Sequence, residues 1–269
     1  MPIAEANGQR LYYEVHGDGE PLLCVMGLGS DTLSWTLQVP AWSERYRTVV
    51  FDNRDVGRSS HADGPYEVTD MAADALALAD ALELDAFHLV GLSLGGAIAQ
   101  EMALAAPDRV RTLTLCVTYG GAGAWGVRRG RVWGGIRRRQ SFEEHVDNLI
   151  LLCFSERFLE NEEQAEALRT IILANPNPQP AEAFLRQLDA GSRHEARDRL
   201  GGLTMPVHVI GAERDMLVPR WKSDEIAELV PGARYTLIEG SGHAVNVEAA
   251  QELNAAVLDF VAEHAPAPA

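Results

Sequence analysis

Residues 89–96 read Leu89-Val90-Gly91-Leu92-Ser93-Leu94-Gly95-Gly96, an apolar run entering a Gly-x-Ser-x-Gly turn. The chain continues into Ala97-Ile98-Ala99-Gln100-Glu101-Met102-Ala103-Leu104, a stretch of helix formers that stops before Pro107. A side chain at the tip of a sharp strand-to-helix turn takes an awkward backbone conformation, and glycines two positions either side leave room for the crowded chain. Ser93 is therefore the first candidate nucleophile, with its Oγ above a sheet and at a helix N-terminus that favours developing negative charge. A bare five-residue pattern also occurs in ordinary turns. Here the flanks set it apart, because Ala86-Phe87-His88-Leu89-Val90 reads as a buried strand and 94–106 as a helix.

A serine nucleophile needs a base, and the chain has eight histidines. His243 lies in Glu239-Gly240-Ser241-Gly242-His243-Ala244-Val245, a Gly-rich loop after the strand-like Arg234-Tyr235-Thr236-Leu237-Ile238. Loops at the C-terminal ends of strands are where a parallel α/β sheet carries its chemistry. His88 and His208 sit inside apolar strand patterns and read as structural, while His16, His61, His145, His194 and His264 have no comparable setting. The third member should be a carboxylate that orients the imidazole. Asp215 and Glu213 both follow the strand-like Pro206-Val207-His208-Val209-Ile210-Gly211. Asp215 is preferred, being farther along the loop and just ahead of Met216-Leu217-Val218-Pro219, where the next helix is expected to start. The order Ser93, Asp215, His243 is that of α/β-hydrolases and differs from the orders of chymotrypsin and subtilisin.

Five segments together make the chain resemble the α/β-hydrolase superfamily over nearly all of its 269 residues. They are Val25-Met26-Gly27-Leu28-Gly29, Phe51-Asp52-Asn53-Arg54-Asp55-Val56-Gly57-Arg58-Ser59, the turn at Ser93, Gly211-Ala212-Glu213-Arg214-Asp215 and Gly240-Ser241-Gly242-His243. The resemblance implies an α/β class and the α/β-hydrolase fold: a mostly parallel, eight-stranded twisted sheet flanked by helices, with a helical cap inserted after the sixth strand. Within the superfamily the chain is similar to small capped carboxylesterases, enol-lactonases and cofactor-free haloperoxidase or perhydrolase relatives. It also implies an oxyanion hole made by the backbone N–H groups of Leu28 and Leu94. Two departures concern loop shape: family members commonly have His-Gly where this chain has Met26-Gly27, and Gly where it has Asp55. Gly27-Leu28-Gly29 could instead begin a dinucleotide fingerprint, but Thr32 occupies the third glycine position.

Outside these segments the chain reads as a hairpin followed by alternating strands and helices. Asn7-Gly8 turns Pro2–Ala6 into Arg10–Val15, and Pro21–Met26, Arg47–Asp52, Ala86–Gly91, Arg111–Val117, Pro206–Gly211 and Arg234–Glu239 read as strands. Thr69–Leu82, with Met71, Ala75, Leu78 and Leu82 on one face, and Ala249–Ala262 read as amphipathic helices. The alternation breaks between Tyr119 and Leu203, where helical patterns near Phe142–Leu152 and Glu162–Ala174 surround the breaker Asn175-Pro176-Asn177-Pro178-Gln179-Pro180. The expected organisation is thus a core domain of residues 1–118 and 203–269 with a helical cap of 119–202. Its pocket would draw on Trp125, Trp133, Phe142, Phe154 and Phe158. Arg128, Arg129, Arg131, Arg137, Arg138 and Arg139 fall between Gly123 and Gln140 with no acid among them. Such a run could bind a substrate carboxylate. Charge runs are more often a solvated helix face, and that is the expectation here.

With 46% hydrophobic residues the chain can bury a sizeable core. No run approaches the roughly 18 apolar residues that span a bilayer, and no signal peptide pattern opens the sequence. Cys24, Cys116 and Cys153 are scattered in apolar surroundings, suggesting reduced thiols and a cytoplasmic protein. A net charge of −16 argues against nucleic acid and anionic membranes as partners. The expected function is a serine hydrolase acting on carboxylic esters through a Ser-His-Asp triad, with a small-molecule ester or lactone as substrate and no metal or organic cofactor. Lactonase or perhydrolase chemistry is the alternative within the mechanism, and a non-catalytic ligand-binding protein of this fold the alternative outside it.

Overall fold

In a computed structural model residues 2–264 are described. Strands β1 (Ile3–Ala6) and β2 (Gln9–His16) form the expected antiparallel hairpin. Asn7 and Gly8 both take positive φ, 49° and 75°. That left-handed pair matches the twist of a two-residue hairpin turn. After β3 (Glu20–Val25) and a short α1 (Val39–Trp42) come β4 (Tyr46–Phe51), α2 (Val68–Ala81), β5 (Phe87–Leu92), α3 (Leu94–Ala105) and β6 (Val110–Cys116). Six helices then interrupt the alternation: α4 (Gly123–Arg137), α5 (Phe142–Cys153), α6 (Glu156–Leu159), α7 (Glu162–Leu173), α8 (Ala181–Arg193) and α9 (Arg197–Leu200). The chain closes with β7 (Val207–Ala212), α10 (Trp221–Leu229), β8 (Arg234–Ile238), α11 (Val245–Glu248) and α12 (Ala250–His264).

The eight strands form one sheet in the order β1-β2-β4-β3-β5-β6-β7-β8. Only β1–β2 and β2–β4 pair antiparallel; every pairing from β4 to β8 is parallel. Central strands buried on both faces must be apolar at every position, and β3 shows how the period of two divides them. Leu23 and Val25 join a cluster with Met71, Ala75 and Leu78 of α2 and Ile98 and Met102 of α3. Leu22 and Cys24 join one on the opposite face with Trp35, Trp42, and Leu253, Val257 and Val261 of α12.

Two helices of the insertion escape simple pattern reading. Helix α4 contains Gly126, Gly130 and Gly134, a row at helical spacing that lowers intrinsic propensity. A Cβ on Gly130 would lie 2.1 Å from Ser192 Oγ and one on Gly134 3.4 Å from Leu185 Cδ2, so these two glycines let α8 approach. Helix α8 starts at the end of the proline-rich breaker, with Pro180 as its N-cap residue, and buries Phe184, Leu185, Gln187, Leu188 and Ala190.

Besides His243, four histidines are buried, two of them in strands as expected. His88 Nδ1 lies 2.9 Å from Thr112 Oγ1, and His208 Nε2 lies 2.9 Å from Thr236 Oγ1. His145 and His194 are buried in the insertion. Desolvation pulls all four down to about 4. The unfolded chain protonates these imidazoles near 6.5 while the native state does not, so the unfolded state binds more protons between these limits. Stability from this source is therefore complete above about pH 6.5 and falls as pH drops toward 4, by up to about 1.4 kcal/mol per pH unit for each histidine. Urea unfolding at pH 7 and pH 5 should show a clearly lower midpoint at pH 5; equal midpoints would contradict the burial of neutral imidazoles.

Candidate active site

Ser93 joins β5 to α3 with φ 58° and ψ −121°, a backbone region that L residues rarely enter. Its glycine neighbours are sterically required. A Cβ on Gly91 would lie 2.4 Å from Gly95 O, and one on Gly95 would lie 2.1 Å from Val25 O. The turn is pinned on both sides, because Ser93 N–H donates to Cys116 O at 2.9 Å and Thr118 Oγ1 donates to Ser93 O at 2.6 Å. The Met26–Leu28 segment runs alongside: a Cβ on Gly27 would sit 3.0 Å from Ser93 Cβ and 3.5 Å from its Oγ. Among the described residues, the N–H groups of Leu28 and Leu94 have no hydrogen-bond partner, and Leu94 opens the first turn of α3, where N–H groups are left free.

Asp215 and His243 are brought together from the loops after β7 and β8. His243 Nδ1 is 2.7 Å from Asp215 Oδ2, and an ionised carboxylate only accepts, so the ring N–H donates. The other carboxylate oxygen, Oδ1, accepts from Leu217 N–H at 2.8 Å and Val218 N–H at 2.7 Å. These two bonds correct the reading of Met216-Leu217-Val218-Pro219 as a helix start: α10 begins at Trp221, and the intervening residues wrap the carboxylate. Glu213, the competing acid, accepts from Gly240 N–H at 2.9 Å, while Arg214 N–H donates to Ser241 O at 2.9 Å. Both bonds strap the acid loop to the histidine loop. Because β5, β7 and β8 run parallel, Ser93, Asp215 and His243 all leave the same C-terminal edge of the sheet. Their exposures are 9%, 8% and 5%, so the edge is roofed over. Among the described residues no group of three or more His, Cys, Asp or Glu side chains is arranged to hold a metal.

The aromatic residues singled out in the sequence separate into three places. Trp133 packs edge-on against Phe184 at 5.2 Å, and Phe184 Cδ2 lies 3.4 Å from where a Cβ on Gly29 would stand. Phe184, hidden behind the prolines, was missed in the sequence. Phe154 and Phe158 stack at 4.4 Å in a cluster that includes Phe142 and packs against Ala244 and Val247, beside His243. Trp125 pairs with Trp221 at 6.1 Å.

The six arginines also separate. Arg128, Arg131, Arg138 and Arg139 are exposed, as a solvated helix face should be. Arg129 is half-buried, stacks 4.8 Å from the Trp125 ring centre and donates from Nη1 to Leu217 O at 2.6 Å, while Arg137 is buried. Loss of hydration lowers the pKa of both guanidinium groups.

The matched sequence profile, described as the alpha/beta hydrolase fold, covers residues 20–250. The chain belongs to that family. It is 31% identical over 265 residues to a protein of Azorhizobium caulinodans named as a carbamate hydrolase, RutD, covering 98% of this chain and 99% of that one. Among solved structures it is similar to the enol-lactonase from Burkholderia xenovorans, with TM-score 0.86, 26% identity and coverage of 97% of this chain and 100% of the other. It is also similar to a thermophilic esterase from Thermogutta terrifontis, with TM-score 0.84, 25% identity and coverage of 96% and 95%. These relatives support a hydrolase of this family.

The two arginine environments should respond differently to neutralisation. Arg129→Gln removes a short bond to the acid loop and a stacked guanidinium, and is expected to lower stability by about 1–3 kcal/mol. Arg128→Gln, on the exposed face, should stay within about 0.5 kcal/mol of the parent. Urea denaturation of the two variants checks this, and equal midpoints would sink the distinction.

Proposed function

We propose that the protein is a serine hydrolase that cleaves carboxylic esters, with Ser93 as nucleophile, His243 as general base and Asp215 as the orienting acid. The single observation carrying this reading is the 2.7 Å contact of His243 with Asp215 at the sheet edge that also carries the left-handed Ser93 turn. Ser93 Oγ attacks the acyl carbonyl while His243 takes its proton, forming a tetrahedral intermediate. Two free N–H groups, those of Leu28 and Leu94, receive the oxyanion. The intermediate collapses to an acyl-enzyme as protonated His243 returns its proton to the leaving alcohol. Water, deprotonated by the same imidazole, then releases the acid and restores Ser93. Asp215 keeps the imidazole in the tautomer whose Nε2 is free to accept. The chemistry requires no metal or organic cofactor.

Residues 119–202 act in this reading as a cap, and Trp133 with Phe184 would form the apolar wall nearest the oxyanion loop. Three free cysteines are compatible with a reducing, cytoplasmic setting. A second substrate reading, a lactone, is supported by the similarity to the enol-lactonase; ring opening uses the same attack. A panel of p-nitrophenyl esters, lactones and carbamates would rank the substrates.

A fluorophosphonate probe should label Ser93 alone, as located by mass mapping. Ser93→Ala and His243→Ala should each lower kcat on the order of 10⁴-fold. Labelling of Ser30 or Ser241 in folded protein would displace Ser93. Absence of turnover and of labelling across the panel would favour a ligand-binding protein of the same fold.

A further inference from the structure

Glu248 ends the short helix α11, one turn beyond His243. Its Oε2 accepts from Gly242 N–H at 3.1 Å and from Ser155 N–H at 3.1 Å, and its Oε1 accepts from the Ser155 hydroxyl. Among the described residues no arginine, lysine or histidine forms an ion pair with it. Three hydrogen bonds therefore hold this carboxylate, and they join two parts of the chain that are far apart in sequence. Gly242 precedes His243, whereas Ser155 lies at the α5–α6 junction of the insertion, is 1% exposed and caps α6 by accepting from Phe158 N–H at 3.2 Å.

A second bond acts on the other side of His243. Ala244 N–H donates to Cys153 O at 2.8 Å. The residues on either side of His243 are thus both tied to residues 153–155, Ala244 directly and Gly242 through Glu248. The two backbones are in close apposition: a Cβ on Gly242 would lie 2.7 Å from Ser155 N, 2.8 Å from Cys153 O and 2.8 Å from Phe154 C. Only glycine fits that contact, and the contact leaves the loop little freedom to shift. With Nδ1 already engaged by Asp215, the remaining freedom of the imidazole is that of its backbone, and that is what the Glu248 bridge limits.

We propose that Glu248 is a positioning residue for His243, bridging Gly242 to Ser155 so that the insertion fixes where the imidazole stands. The proposal rests on the reading of His243 as the general base. Placement errors near 1 Å in a reacting group lower rates by up to about 100-fold, and the error falls on the chemical step while ground-state binding is little changed. Breaking the bridge should therefore lower kcat and leave KM alone. Keeping an acceptor of the same length should preserve it. In Glu248→Gln the amide oxygen can accept from both N–H groups, and the amide NH₂ can donate to the Ser155 hydroxyl, which both donates and accepts.

The test is steady-state hydrolysis of a short neutral p-nitrophenyl ester by full-length Glu248→Ala, Glu248→Gln and Glu248→Asp, with Ser93→Ala in the same assay and a thermal melt of each protein. Glu248→Ala, folded at assay temperature, is expected to lose about 10- to 100-fold in kcat with KM within about threefold of the parent, while Glu248→Gln stays within about threefold in both. If Glu248→Ala does not fold, Glu248→Asp takes its place: it keeps the charge and shortens the reach by one methylene, so its kcat should fall where that of Glu248→Gln does not. Folded Glu248→Ala with parental kcat, while Ser93→Ala is dead, overturns the proposal and leaves the serine-hydrolase reading intact. Equal losses in Glu248→Ala and Glu248→Gln would assign the effect to charge, which also overturns it. Turnover that survives Ser93→Ala overturns the hydrolase reading and the Glu248 proposal with it.

Discussion

The tight turn at residues 91–96 is the constraint from which the site geometry follows. Ser93 is in a conformation that costs on the order of 1–3 kcal/mol locally and persists only where surrounding structure enforces it. Enforcement comes from both neighbouring strands. The end of β6 takes the Ser93 N–H through Cys116 O, Thr118 takes its carbonyl, and Val25 O at the end of β3 closes on Gly95. A strand with such contacts on both sides must be interior, and β5 lies between β3 and β6. Helix α3 must then begin at the strand's end, which brings its free N–H groups beside the Met26–Leu28 segment. The nucleophile candidate and both oxyanion candidates are consequences of one chain crossing.

The insertion between β6 and β7 reaches three loops of the site, each by a different helix. From α8, Gln187 Oε1 accepts from Gly29 N–H at 3.1 Å. From α4, Arg129 donates to Leu217 O in the loop that wraps Asp215. From the end of α5, Cys153 O accepts from Ala244 N–H next to His243. An insertion that only shielded the site would need apolar contacts alone. These bonds make its folding and the geometry of the loops interdependent, and the low exposure of Ser93, Asp215 and His243 strengthens electrostatic terms within the site.

The sheet, the hairpin and the helices α2, α3, α5, α7 and α12 could be read from the chain because each carries a local signal: period two, period 3.6, or a turn pair such as Asn7-Gly8. Asp215 and His243 were legible for a related reason, since each follows a strand run closely and loops at strand ends inherit the sheet's geometry. Long-range packing was not legible. The glycine row of α4 resembles a loop until α8 lies against it, and Pro178 and Pro180 conceal a helix whose Phe184 packs beside Gly29. The six arginines look alike in sequence. Their separation into a wet face, a half-buried Arg129 stacked on Trp125 and a buried Arg137 follows from the angle at which α4 sits on the core, which no local pattern encodes.

The two departures from the family pattern have physical accounts in the same network. Asp55 takes φ 70°, which explains why glycine is common there, and Asp is among the residues that tolerate the left-handed region. Its side chain then does what glycine could not. Fully buried, it accepts a bidentate pair from Arg186 of α8 at 2.9 and 2.6 Å and a bond from Tyr66 OH at 2.8 Å. Arg186 adjoins Gln187, whose amide donates to Arg54 O at 3.0 Å while its oxygen holds Gly29. A histidine at position 26 is not required to shape the Met26–Gly29 segment in this arrangement. Met26 O is instead held by Asn53 Nδ2 at 2.9 Å, and Gly29 by Gln187. The loop is thus fixed at both ends by neutral amides, one from the β4 turn and one from α8. Neutral amides do not titrate, so these two supports of the Met26–Gly29 segment do not change their charge with pH.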